Sequence, residues 1–88
     1  MTQASVVLRN EEGLHARAAA AFVRAANRFT SDITLKADGE EVNGKSIIGI
    51  MSLGAFSGET IEIATEGDDE EEALKALVGL VEDGFREN

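Results

Sequence analysis

The chain has 88 residues with 43% hydrophobic and 28% charged side chains, enough apolar content for one small core and too much for a disordered chain. It has no cysteine and a single histidine, which excludes a disulfide scaffold, a thiol nucleophile and a thiolate zinc site and disfavours a multi-histidine metal centre. The net charge of −9 argues against broad nucleic-acid or anionic-membrane binding, since both call for a basic surface.

In chain order, Ser5-Val6-Val7-Leu8 predicts a short strand, and residues 10–13 are turn-like. Residues 16–27 are dense in alanine, the best helix former. Their apolar stripe is Ala19, Phe22 and Ala26, flanked by Val23, with Arg17, Arg24 and Arg28 on the opposite face. Residues 33–37 alternate as a half-buried strand, Asp38-Gly39 is a two-residue hairpin signal, and residues 40–43 return. Gly44 and Gly54 bracket a short helix over residues 46–53, and residues 60–65 alternate again.

The last helix places Leu74, Leu77, Val78, Val81 and Phe85 on one face. Its acidic start suits the positive end of the helix dipole, with Asp69 and Glu72 spaced as a capping box, and Gly84 is a C-terminal stop. The order βαββαβα predicts an α+β fold: one two-layer domain over residues 1–88, with helices on one face of a mostly antiparallel sheet.

The charge is uneven. Residues 1–58 carry six basic and six acidic side chains, whereas residues 59–88 carry two basic and eleven acidic, which is the entire net charge. Phosphate chemistry is therefore expected in the neutral part. The N-terminus lacks a basic stretch followed by a long apolar run, and no 18-residue apolar span exists, so a soluble cytoplasmic protein is expected.

His15 lies in Gly13-Leu14-His15-Ala16-Arg17-Ala18, where a loop meets the alanine-rich helix. A helix start leaves backbone N–H groups unsatisfied at the positive end of the dipole, which makes it an anion site. Arg17 can add a fork of charged donors, and histidine is a competent covalent nucleophile. The same position also falls near the Ala19/Phe22/Ala26 stripe, so a histidine capping the end of the core fits as well.

In the short helix, Ile47, Ile48 and Met51 cluster on one side, with Ile50 and Leu53 on another. If Ile50 and Leu53 face inward, the first three form an exposed patch of the kind that binds partners; burial of the whole segment under a loop is the alternative. Ser46 suits an N-cap. A regulatory phosphate there would add about −1.5 to −2 charge beside the patch and repel an acidic partner.

GLHARAAAAF around His15 and GKSIIGIMSLG around Ser46, about thirty residues apart, closely resemble the HPr family across essentially the whole chain. HPr proteins are the histidine-containing phosphocarriers of the bacterial phosphoenolpyruvate-dependent sugar phosphotransferase system. The resemblance implies an open-faced β-sandwich, a four-stranded antiparallel sheet with three helices on one side.

It implies that His15 accepts a phosphoryl group on Nδ1 from phosphorylated Enzyme I and passes it to sugar-specific Enzyme II A components. Arg17 and the backbone of Ala16, Arg17 and Ala18 would hold the phosphate. Ser46 would match the site of HPr kinase/phosphorylase, and Arg24, Ile47, Ile48 and Met51 the partner-facing surface. A monomer without cofactor or metal is expected, with no nucleic acid and no membrane insertion.

Two positions depart from the family pattern. Ala18 stands where proline is usual, which adds one amide donor and gives up a fixed φ. Glu12 stands where the family tends to place a small polar residue. A carboxylate close to His15 would oppose a phosphate, so its side chain is expected to point away. The competing functions are a nitrogen-regulatory paralogue with the same histidine chemistry, and a regulatory binding module that uses the Ile47/Ile48/Met51 face without phosphoryl transfer.

Overall fold

A computed structural model of the chain describes residues 1–86. Its elements run β1 (Thr2–Val7), α1 (Ala16–Ala26), β2 (Asp32–Ala37), β3 (Glu40–Asn43), α2 (Ile47–Ser52), β4 (Thr60–Glu66) and α3 (Glu70–Glu82). The strands form one antiparallel sheet in the order β1-β4-β2-β3. The helices cover one face, with α3 against β1 and β4, α1 against α2 and α3, and α2 touching β3.

β1 begins earlier than local propensity indicates, at Thr2, because β4 supplies partners: Thr2 pairs with Thr65, Gln3 with Ala64 and Ala4 with Ile63. Ladder hydrogen bonds override a weak local preference. The hairpin between β2 and β3 follows the sequence more closely. Asp38 and Gly39 both take positive φ, 51° and 80°, as the tight turn between right-twisted strands requires.

Alternation sorts the sheet's two faces. Val6, Ile33, Leu35, Ala37, Ile61 and Ile63 turn inward and are buried with Phe22, Ile50, Leu77 and Val81. Fully burying a side chain of this size removes enough apolar surface from water to contribute about 1.5–3 kcal/mol. The open face carries the cross-strand row Ser5, Glu62, Lys36 and Glu41. There Lys36 Nζ lies 3.5 Å from Glu41 and 3.9 Å from Glu62.

In α3, Leu77 and Val81 are buried together with Ala73, and Phe85 is buried just beyond the helix, while Leu74 and Val78 are only half-buried. The capping box does not form. Asp69 makes no side-chain cap and instead turns to the connection between α1 and β2. It accepts from the amides of Thr30 at 2.9 Å and Ser31 at 3.0 Å and from the Ser31 hydroxyl at 2.5 Å. The Ser31 hydroxyl and the two amides hold the Asp69 carboxyl down at about 2, against the opposing effect of burial. Glu70 takes the role of turning back, accepting from the Gly67 amide at 3.1 Å, and its pKa is lowered in turn.

Candidate functional site

The loop from β1 to α1 is fixed before it delivers His15. Leu8 is buried and bracketed by hydrogen bonds to Glu59 and Gly58, at 2.9 and 2.8 Å. Asn10 closes the turn, its carbonyl accepting from the Gly13 amide at 3.2 Å and its Nδ2 donating to the Gly13 carbonyl at 2.7 Å. Gly13 takes φ +65° with its Cα pressed on the loop after α2; a Cβ there would stand 2.5 Å from the Ala55 carbonyl oxygen. Leu14 is buried and donates its amide to that same carbonyl at 3.0 Å.

His15 is the N-cap of α1, in extended conformation, and not part of the helical stripe. Its carbonyl accepts from Ala19 at 2.8 Å, and its ring Nδ1 accepts from the Arg17 amide at 3.1 Å. Ala16, Arg17 and Ala18 occupy the first turn, whose amides have no helical carbonyl four residues back. The Arg17 side chain is exposed at this end of the helix, and Ala18 is buried. The Nδ1 lone pair thus lies in the field of the helix start.

Glu12 is where the structure corrects the sequence. Its side chain does not point away: Glu12 Oε1 lies 3.0 Å from His15 Nε2. The Asn10–Gly13 turn brings position 12 back to the N-cap histidine, where the carboxylate meets a ring nitrogen. Because Nδ1 accepts, the proton of the neutral ring belongs on Nε2, facing the carboxylate. The carboxylate meets the edge of the ring remote from the helix amides, so a phosphate on Nδ1 and Glu12 occupy different sides.

Ser46 caps α2, its hydroxyl accepting from the Gly49 amide at 3.1 Å. Ile50 is fully buried and Leu53 partly so, which turns Ile47, Ile48 and Met51 outward; Ile48 is 81% exposed. α2 packs on α1, so this apolar face adjoins the helix that begins at His15. Arg24 is exposed on α1.

One further residue escaped the sequence reading. Phe56 is 73% exposed, and its Cα would stand 2.9 Å from a Cβ on Gly13, which sets its backbone beside the histidine loop. An aromatic residue between Gly54 and Gly58, without a periodic apolar partner, was the signal. The segment holds itself in place, with the Phe56 amide donating to the Glu59 carboxylate.

Comparison with known proteins agrees with this architecture. The family model described as "PTS HPr component phosphorylation site" matches residues 2–83. An HPr-like protein Crh from Halalkalibacterium halodurans is 51% identical over 93% of this chain and 98% of its own. A phosphocarrier protein HPr from Xylella fastidiosa is 42% identical over 100% of this chain and 99% of its own.

Among solved structures, HPr from Thermoanaerobacter tengcongensis superposes with a TM-score of 0.94 at 50% identity, over 100% of this chain and 99% of that one. Crh from Bacillus subtilis, described as a dimer with a swapping domain, gives a TM-score of 0.78 at 46% identity, over 99% and 100% of the two chains. With a cap histidine at a helix start, an open-faced sandwich and a match across nearly its whole length, this chain belongs to the HPr family of the phosphotransferase system.

Proposed function

We propose that the protein is a sugar-system phosphocarrier that accepts a phosphoryl group on His15 Nδ1 from phospho-Enzyme I and passes it to Enzyme II A components. The observation that carries the reading is the 3.1 Å hydrogen bond from the Arg17 amide to Nδ1, which leaves that nitrogen unprotonated at a helix start. As phosphorus bonds to Nδ1, the first-turn amides of Ala16, Arg17 and Ala18 and the Arg17 guanidinium become donors to its oxygens. Little covalent chemistry is asked of the carrier, because phosphoryl transfer rests on in-line positioning and charge stabilisation.

Ile47, Ile48 and Met51 serve as the apolar face for partners, with Arg24 as a basic contact for acidic ones. Ser46 serves as a regulatory site for an HPr kinase/phosphorylase. Its hydroxyl oxygen now caps α2, and a phosphate there sets a dianion beside the apolar face. One chain supplies every residue of this site, so a monomer suffices.

A second reading is a regulatory module that binds partners without transfer; likeness to Bacillus subtilis Crh, described as a catabolite repression protein, supports its regulatory part. His15 favours the carrier, because a binder has no need of a nucleophile. The Ser46 context favours the sugar branch over the nitrogen-regulatory paralogue.

Incubation with Enzyme I and phosphoenolpyruvate should give an acid-labile phosphate that His15→Ala loses. An unlabelled wild-type protein would defeat the carrier reading. With kinase and ATP, an acid-stable label at Ser46 should slow the subsequent labelling of His15; undiminished transfer after complete Ser46 phosphorylation would refute the regulatory role.

A further inference from the structure

We infer that Glu12 is a positioning residue for His15, holding the proton on Nε2 so that Nδ1 is the nucleophile and then stabilising the charge the ring acquires. The inference rests on the carrier reading and deepens it. Its basis is a ring held at both nitrogens: the Arg17 amide donates to Nδ1 at 3.1 Å, and Glu12 Oε1 faces Nε2 at 3.0 Å. A carboxylate bonded to one imidazole nitrogen fixes the tautomer and the ring plane, which leaves the other nitrogen unprotonated, to exchange its hydrogen bond from the Arg17 amide for a bond to phosphorus. The backbone is arranged to bring the two together, because the Asn10–Gly13 turn carries Glu12 back to the N-cap.

During transfer the Nδ1 lone pair forms the bond to phosphorus. The donor's bond to phosphorus breaks, and its electron pair stays with the donor. No proton leaves Nε2, so the ring becomes a phospho-imidazolium. Its positive charge then lies against the Glu12 carboxylate, while the phosphate lies against the helix amides. The carboxylate thus interacts more strongly with the transferring state than with the neutral ring, which is the condition for lowering a barrier. In onward transfer the phospho-imidazolium gives up its phosphoryl group and departs as a neutral imidazole, a better leaving group than an imidazolate.

The pair is tested with Glu12→Ala and Glu12→Gln by two measurements. Ring 15N chemical shifts of the unphosphorylated protein at mildly alkaline pH read the tautomer without any transfer. The wild type should show predominantly Nε2–H, Glu12→Ala a shift toward the mixed population of a free imidazole, and Glu12→Gln an intermediate ratio. Labelling by Enzyme I and phosphoenolpyruvate should slow by about threefold to tenfold in Glu12→Ala, a modest factor because the pair is part-exposed and screened by water. Glu12→Asp should recover part of the rate.

An unchanged 15N tautomer signature in Glu12→Ala, or a rate equal to or above that of the wild type, would overturn the inference. A wild-type protein that takes no label, beside a normal tautomer shift in Glu12→Ala, would defeat the carrier reading and leave the pairing standing.

Discussion

His15 uses its two ring nitrogens for different purposes, and the division comes from where each one sits. Nδ1 lies over the first turn of α1, where backbone amides and the dipole favour an anion, and Nε2 lies on the loop side against Glu12. Ala18 belongs to the same site. It is the third residue of α1, and its amide is one of the donors a helix start leaves without a helical partner. Ala18→Pro removes that donor and supplies a φ that suits the first turn. Phosphoryl transfer from Enzyme I should therefore change by no more than about threefold, since one neutral hydrogen bond among several carries little of the net stabilisation. Stopped-flow or rapid-quench rates check this; an inactive wild type repaired by the proline would contradict it. His15, Arg17 and Ala18 were legible in the sequence as one turn of helix. The direction of the Glu12 side chain was not, because it depends on how a four-residue turn folds back.

At the scale of elements, the site is a helix start held by a loop from elsewhere in the chain. Gly13 is the contact point, since the segment after α2 runs so close that a side chain has no room. Gly13→Ala would combine a left-handed backbone with a Cβ 2.5 Å from the Ala55 carbonyl oxygen, an atom of the main chain that cannot swing aside. The cost should be about 1–3 kcal/mol, read as a lower midpoint in urea denaturation. An unchanged midpoint would show that the two loops do not brace each other. α2 illustrates the same dependence. Its sequence is apolar nearly all round, and packing on α1 and β3 decides that Ile50 is buried and Ile48 exposed. Phe56 follows from the same loop: its flanking glycines single it out in the sequence, but only the fold sets its backbone against Gly13.

Across the whole molecule, the start of the acidic run lies at the far end of α1 from His15. The acidic run begins at Asp68 and Asp69, and Asp69 is tied to Thr30 and Ser31, beyond the C-terminal end of α1. His15 caps the opposite end of that helix, whose eleven residues span about 15 Å at 1.5 Å per residue. Asp69 also gives the fold a pH signature. Its carboxyl is held at about 2, below the ~3.9 of an unfolded aspartate, so the unfolded chain binds more protons between those values. Its stabilisation is complete above about pH 4, declines as the pH falls, and is gone below about pH 2. Asp69→Asn should remove that limb, leaving stability lower at neutral pH and flatter between pH 4 and pH 2, with the rate of transfer to His15 unaltered. Denaturation midpoints across that range check the prediction; an acid limb as steep as the wild type's would refute it.

The sequence by itself determined the element order, the alternation of β2 and β4 and the long stripe of α1, because those follow from periods of 2 and 3.6 within single segments. It also marked His15 and Arg17, since a helix start is a local feature. Tertiary structure decided which face of α2 is buried, that β1 starts at Thr2, that Asp69 clamps the connection before β2 instead of capping α3, and that Glu12 faces Nε2. Each depends on a partner brought near by the fold, through a packed helix, a ladder, a crossing loop or a folded-back turn. The distribution of charge along the chain pointed to the neutral part; only the folded chain placed a carboxylate against Nε2 of the histidine.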